Sequence, residues 1–140
     1  MSYITKSDLI RGLYAAVGKD CSGEVTDTAL AQGWIERQDI DEAGTEITRL
    51  DAARITHMFL MKEVGIPDLT DINAASVLRD LYDCRICVNH IAQVYLRGLI
   101  AAREIEGISE QRFLIFDGRE KLTATEAEYI YRGIRCKKEE

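Results

Sequence analysis

The stretch "EITRLDAARITHMF", residues 46–59, decides the fold. Thr48 stands just before an apolar-periodic run, and Asp51 follows three residues later. A threonine at that place accepts a backbone N–H that has no partner inside the helix, and an acid at the third helical position can answer the threonine's own N–H. The stretch therefore reads as a helix start, with Ile47 ahead of the cap as a hydrophobic staple. The same device recurs in "YITKSDLIRGLY", residues 3–14, as Ile4, Thr5 and Asp8. It recurs again in "KLTATEAEYIYRGI", residues 121–134, as Leu122, Thr123 and Glu126. Glutamate closes such a box better than the shorter aspartate. One box is a chance match, whereas three predict a repeated structural unit.

Working outward, helical periodicity dominates. Leu9, Ile10, Leu13, Tyr14 and Val17 form a wide apolar stripe. Ala29, Leu30 and Trp34 mark a second, shorter helix, and a third is expected from Arg49 to about Glu63. Gly65 and Pro67 fit a helix stop and give the best internal boundary. Beyond it, "DINAASVLRDLY", residues 71–82, predicts a helix burying Ala75, Leu78, Leu81 and Tyr82. "CRICVNHIAQVYLRGLI", residues 84–100, predicts another through Cys87, Ile91, Val94 and Tyr95. The last is expected from Ala124 to about Arg135, and "RFLIF", residues 112–116, reads as a short strand before the turn "FDGR". The expectation is an all-α, compact domain of about six helices with room for one short hairpin, spanning residues 1–140.

"TALAQGWIE", residues 28–36, and "HIAQVYLRGLIAA", residues 90–102, both end an apolar helix in glycine followed by two apolar residues. Each leads through a loop to one of the boxes. "GWIERQDIDEAGTEITRLDAARI", residues 33–55, and more loosely "GLIAAREIEGISEQRFLIFDGREKLTATEAEYI", residues 98–130, resemble S-layer homology (SLH) repeats. Repeat-like units then fall at about 4–18, 24–65 and 68–136, the first truncated to its box helix. The resemblance implies a central bundle of three box helices with pseudo-threefold symmetry, and a module that binds acidic cell-wall polysaccharide. The family's arginine after the threonine is matched by Arg49; Lys6 keeps the charge without the forked geometry, and Ala124 loses it. The implied ligand site is Arg49, Thr48, Asp51 and Lys6, with Trp34 as an aromatic platform. The residues themselves also allow Trp34 a place in the core and Arg49 one on the first-turn surface.

Composition bounds the alternatives. With 46% hydrophobic and 30% charged residues, the chain is an ordinary globular sequence. A net charge of -6 with scattered Lys and Arg argues against nucleic acid. No apolar run reaches the ~18–20 residues that span a bilayer, so no membrane insertion is expected. The N-terminus lacks the pattern of a secretory signal, which predicts a cytoplasmic protein, or a surface one if this is a processed form. Cys21, Cys84, Cys87 and Cys136 are expected as reduced thiols.

"YDCRICVNHIAQ" sets Cys84, Cys87 and His90 at three-residue spacings along a helix, where zinc ligation is conceivable with His57, Cys21 or Cys136 as fourth ligand. The plainer reading is core and surface filler, with no metal and no cofactor. No phosphate loop or nucleophile–base spacing is recognisable, so the chain reads as non-enzymatic. The expected function is a non-catalytic SLH-like module binding acidic cell-wall polysaccharide or a surface partner. The alternative is an intracellular scaffolding domain that uses the same fold for protein partners.

Overall fold

A computed structural model describes residues 2–19 and 25–138. In chain order its helices are α1 (Lys6–Ala16), α2 (Val25–Gln32), α3 (Arg37–Asp41), α4 (Arg49–Phe59), α5 (Val88–Leu96) and α6 (Ala124–Lys138). The strands β1 (Arg103–Glu106) and β2 (Arg112–Ile115) pair antiparallel, with Ile105 opposite Phe113. The described residues thus make a mostly helical protein with one small hairpin. No helix among them is long and apolar enough to cross a membrane.

Each threonine box starts a helix, as its chemistry dictates. The hydroxyls of Thr5, Thr48 and Thr123 accept the N–H of Asp8, Asp51 and Glu126, each at 3.1 Å. Asp8 and Glu126 return the bond to their cap's own N–H, both at 3.0 Å. The carboxylate of Asp51 lies instead 3.5 Å from both Lys6 and Arg54.

The three entries meet. Short antiparallel bridges join Tyr3 to Thr123, Thr5 to Glu46 and Thr48 to Lys121. Lys6 N donates to Thr45 O (3.1 Å), Arg49 N to Glu120 O (2.7 Å) and Ala124 N to Ser2 O (2.9 Å). Every entry is therefore bonded to both of the others, and the backbone closes a ring. Side chains alternate across these extended segments, as in any strand. Ile47 and Leu122 point inward and are fully buried, and Ile4 packs half-buried against the same core. Tyr3, Glu46 and Lys121 stand on the exposed side.

The two glycine–apolar–isoleucine signatures are helix terminators. Gly33 (φ 85°) and Gly98 (φ 72°) adopt the left-handed conformation that closes a helix C-terminus and costs a residue with Cβ. Trp34 N then returns to Ala29 O (3.2 Å) and Leu99 N to Val94 O (2.9 Å). The turn drops Trp34, Ile35, Leu99 and Ile100 into the core. Trp34 meets Tyr14 and Phe59 edge-on, with centroids at 5.2 and 4.9 Å. Such pairs contribute ~0.5–1.5 kcal/mol each beyond the area they bury.

Past α4 the chain makes one wide turn over Leu60–Val64 and stops at Gly65, ahead of Pro67. The expected helix over residues 71–82 does not form. Short 3₁₀ turns occupy Asn73–Val77, Leu81–Asp83 and Arg85–Cys87. Ala75, Leu78 and Leu81 are buried as expected, but Tyr82 is 66% exposed. Arg79 N bonds Leu114 O (2.9 Å), which ties this segment to the hairpin.

Candidate functional site

Arg49, the residue around which a ligand site was expected, is fully buried. Its Nε donates to Phe116 O (2.8 Å) and an Nη to Ala101 O (2.6 Å), and the other Nη pairs closely with Glu126. The guanidinium also lies 5.1 Å from the centroid of the Phe116 ring. Burial, together with the neighbouring Arg103 charge, pulls its pKa down to about 10, so it stays a cation in the core. Neither a surface position nor a free partner for a ligand carboxylate describes it. The reason is tertiary: the loop carrying Phe116 and the start of α6 close over it.

The other expected residues divide. Trp34 is 1% exposed and is core, not a platform. Lys6 is buried too, with Nζ 3.0 Å from Asp39 and Glu42 and 3.5 Å from Asp51. Burial works against its charge, yet the Asp39 and Glu42 bonds leave its pKa raised. Burial would raise Asp39 as well, but Arg54, the Glu36 N–H and Lys6 together hold it at about 2. Thr48 is spent on capping, and Asp51 joins this charged knot. Lys6 and Asp51 are thus brought together, whereas Arg49 and Trp34 serve separate parts of the interior.

The cysteine and histidine expectations also change. Cys84 and Cys87 form a disulfide, against the expectation of reduced thiols and of thiolate ligands. Cys136 is a free, exposed thiol, and Cys21 lies outside the described residues. His90 turns to His57, with their Nδ1 atoms 2.8 Å apart, and His57 Nε2 lies 2.6 Å from Asp68 Oδ1. Asn89 holds the second Asp68 oxygen at 3.0 Å. A contact between two ring nitrogens has room for one proton only. Burial, with the His57 and Arg54 charges, lowers the His90 pKa to about 4 in spite of Asp68.

Two clefts open on the described surface. One, of about 460 Å³, has a floor of Leu50, Ile91 and Phe116 and a rim carrying Asp80, Asp83, Asp117 and Arg119, with Cys84 in its wall. The Asp80 carboxylate accepts the N–H groups of Phe116 (2.7 Å) and Asp117 (2.8 Å), fixing the loop that covers Arg49. The other cleft, of about 690 Å³, lies beside the entry of α6 and is lined by Tyr3, Arg103, Lys121 and Thr125 among others. Both volumes fall within the range of small-molecule sites. In the second, Lys121 Nζ stands 5.7 Å from the Tyr3 ring centroid and 2.6 Å from Glu46. Arg103 reaches Asp117 (2.8 Å) and, more loosely, Glu126 (3.4 Å).

Sequence reasoning passed over Tyr3, Glu46 and Lys121, although a signal existed. Each stands two residues before a capping threonine, so the extended entry turns all three to the same side. No family model, curated protein or solved structure matches this chain significantly.

Proposed function

We propose that this chain is a non-catalytic SLH-like module whose cleft beside Tyr3 and Lys121 holds an acidic cell-wall polysaccharide. The observation that carries the reading is the closed ring of the three helix entries. Each side carries one bond of the same kind, Lys6 N to Thr45 O, Arg49 N to Glu120 O and Ala124 N to Ser2 O, and two sides carry a return bond as well, Ile47 N to Ile4 O and Leu122 N to Ile47 O. In each of the first three, the residue after one threonine donates to the residue three before another. Three copies of one unit about a pseudo-threefold axis would produce that pattern, which supports repeat units near residues 4–18, 24–65 and 68–136, with Ser2 and Tyr3 joining the first. The resemblance to SLH repeats supplies the ligand class.

The α6 cleft suits such a ligand better than the acidic one. Lys121 and Arg103 balance the lining carboxylates Glu120 and Glu126, whereas three aspartates face one arginine in the other cleft; Tyr3 offers an exposed ring on which a sugar can stack, and Thr125 adds a hydroxyl. The Lys121–Glu46 pair is half-exposed on both sides, and pairs of that kind are worth only ~0–1 kcal/mol. A ligand carboxylate can therefore take the place of Glu46. Asp80, Asp83 and Asp117 would repel a polyanion from the other cleft.

The test is retention on isolated wall polymer. Tyr3→Ala and Lys121→Ala are each expected to weaken retention about tenfold, the ~1.4 kcal/mol typical of one charge-assisted or stacking contact. Far-UV circular dichroism should not change, and added salt should weaken the wild type further. Retention that survives both substitutions would defeat the proposal.

A further inference from the structure

We infer that the Cys84–Cys87 bridge is a reversible thiol–disulfide exchange centre, and that the acidic cleft receives a basic stretch of a polypeptide dithiol. The bridge joins residues three apart, so it confines little of the unfolded chain and is a poor staple. It is also accessible. Cys84 forms part of the cleft wall, both cysteines are only half-buried, and Ile86 between them is 89% exposed. Arg85 is exposed beside it.

The surroundings set the direction of attack. An incoming thiolate in the cleft meets the sulfur of Cys84. Cys87 is the residue immediately before α5, where the helix dipole favours the thiolate it would become on leaving. The first step forms a bond between the partner's sulfur and Cys84 and breaks the Cys84–Cys87 bond, releasing Cys87 as thiolate. In the second, the partner's other thiolate attacks its own first sulfur, forming the partner's disulfide and releasing Cys84 as thiolate. Two electrons pass from the partner dithiol to the protein, and protons from the two partner thiols end on Cys84 and Cys87 or in solvent. The carboxylates of Asp80 and Asp83 beside Cys84 favour a partner whose reacting cysteine has Lys or Arg neighbours. The apolar floor of Leu50, Ile91 and Phe116 takes the aliphatic stems of those side chains.

The experiment uses the full chain with Cys21→Ser and Cys136→Ser, so that only this pair reacts. In the oxidised protein, dithiothreitol is expected to reduce the bridge while the far-UV helical signal is retained. With Cys87→Ser added, Cys84 is offered two cysteine peptides activated as mixed disulfides with thionitrobenzoate, one flanked by lysines and one by glutamates. The lysine peptide should react at least tenfold faster at low salt, and Asp83→Asn or high salt should shrink the difference several-fold. A bridge that yields to reductant only when the domain unfolds overturns the inference. Equal rates for the two peptides overturn the basic-partner assignment.

Discussion

At the scale of the residue, Arg49 shows how a charge can be part of the interior. Two carbonyls and a carboxylate use three sides of its fork, and burial of a cation is tolerated only with such partners. Arg49→Ala should lower stability by ~3–5 kcal/mol in urea denaturation, the cost of breaking a buried pair. Arg49→Lys should recover little of that loss, because one ammonium cannot span Phe116 O, Ala101 O and Glu126 together. Local sequence could not reveal this: Arg49 occupies a first turn, and its acceptor Phe116 is 67 residues away. His90 makes the second residue-scale prediction. Its folded pKa of about 4 lies below the ordinary 6.5, so the unfolded chain binds the extra proton first. Stability is full above pH 6.5 and is lost as pH falls toward 4. After discounting for half-exposure, the loss should be on the order of 1–2 kcal/mol. His90→Gln should flatten the unfolding midpoint across that window. Asp39, held at about 2 against an ordinary 3.8, adds its own loss only at still lower pH.

At the scale of the element, the boxes were the legible part, because a cap is written within four residues. Thr48→Ala should cost about 1 kcal/mol with an unchanged denaturant slope, since one hydroxyl bond is lost and nothing else moves. The helix ends at Gly33 and Gly98 were legible for the same local reason. The segment beyond Pro67 was misread because burial alone does not name the helix type. Ala75, Leu78 and Leu81 recur strictly every third residue, the repeat of a 3₁₀ turn, whereas α1 mixes spacings of three and four. That spacing was available and was the better guide. Helix α3 went unread because five residues carry too little periodicity to register. Glu104 and Glu106 show a different economy: they leave the outer edge of β1 charged, which discourages strand addition there.

At the scale of the whole molecule, the ring binds residues from the first, middle and last thirds of the sequence into one unit. Its partners lie up to about a hundred and twenty positions apart, and such long-range closure is what pattern reading along a chain cannot see. Removing residues through Ile4 deletes the Tyr3–Thr123 bridge and the bonds of Ile4 O and Ser2 O. It also leaves Ile47 and Leu122 facing solvent. The shortened protein should lose its cooperative melting transition altogether, which calorimetry would register as a missing heat-absorption peak. The order of synthesis has a bearing on the same contacts. Two sides of the backbone circle wait for the run from Glu120 to Ala124, which a ribosome makes after every other participant. A nascent chain therefore carries exposed Ile4 and Ile47 until α6 emerges, and in that interval it is a natural client for chaperones.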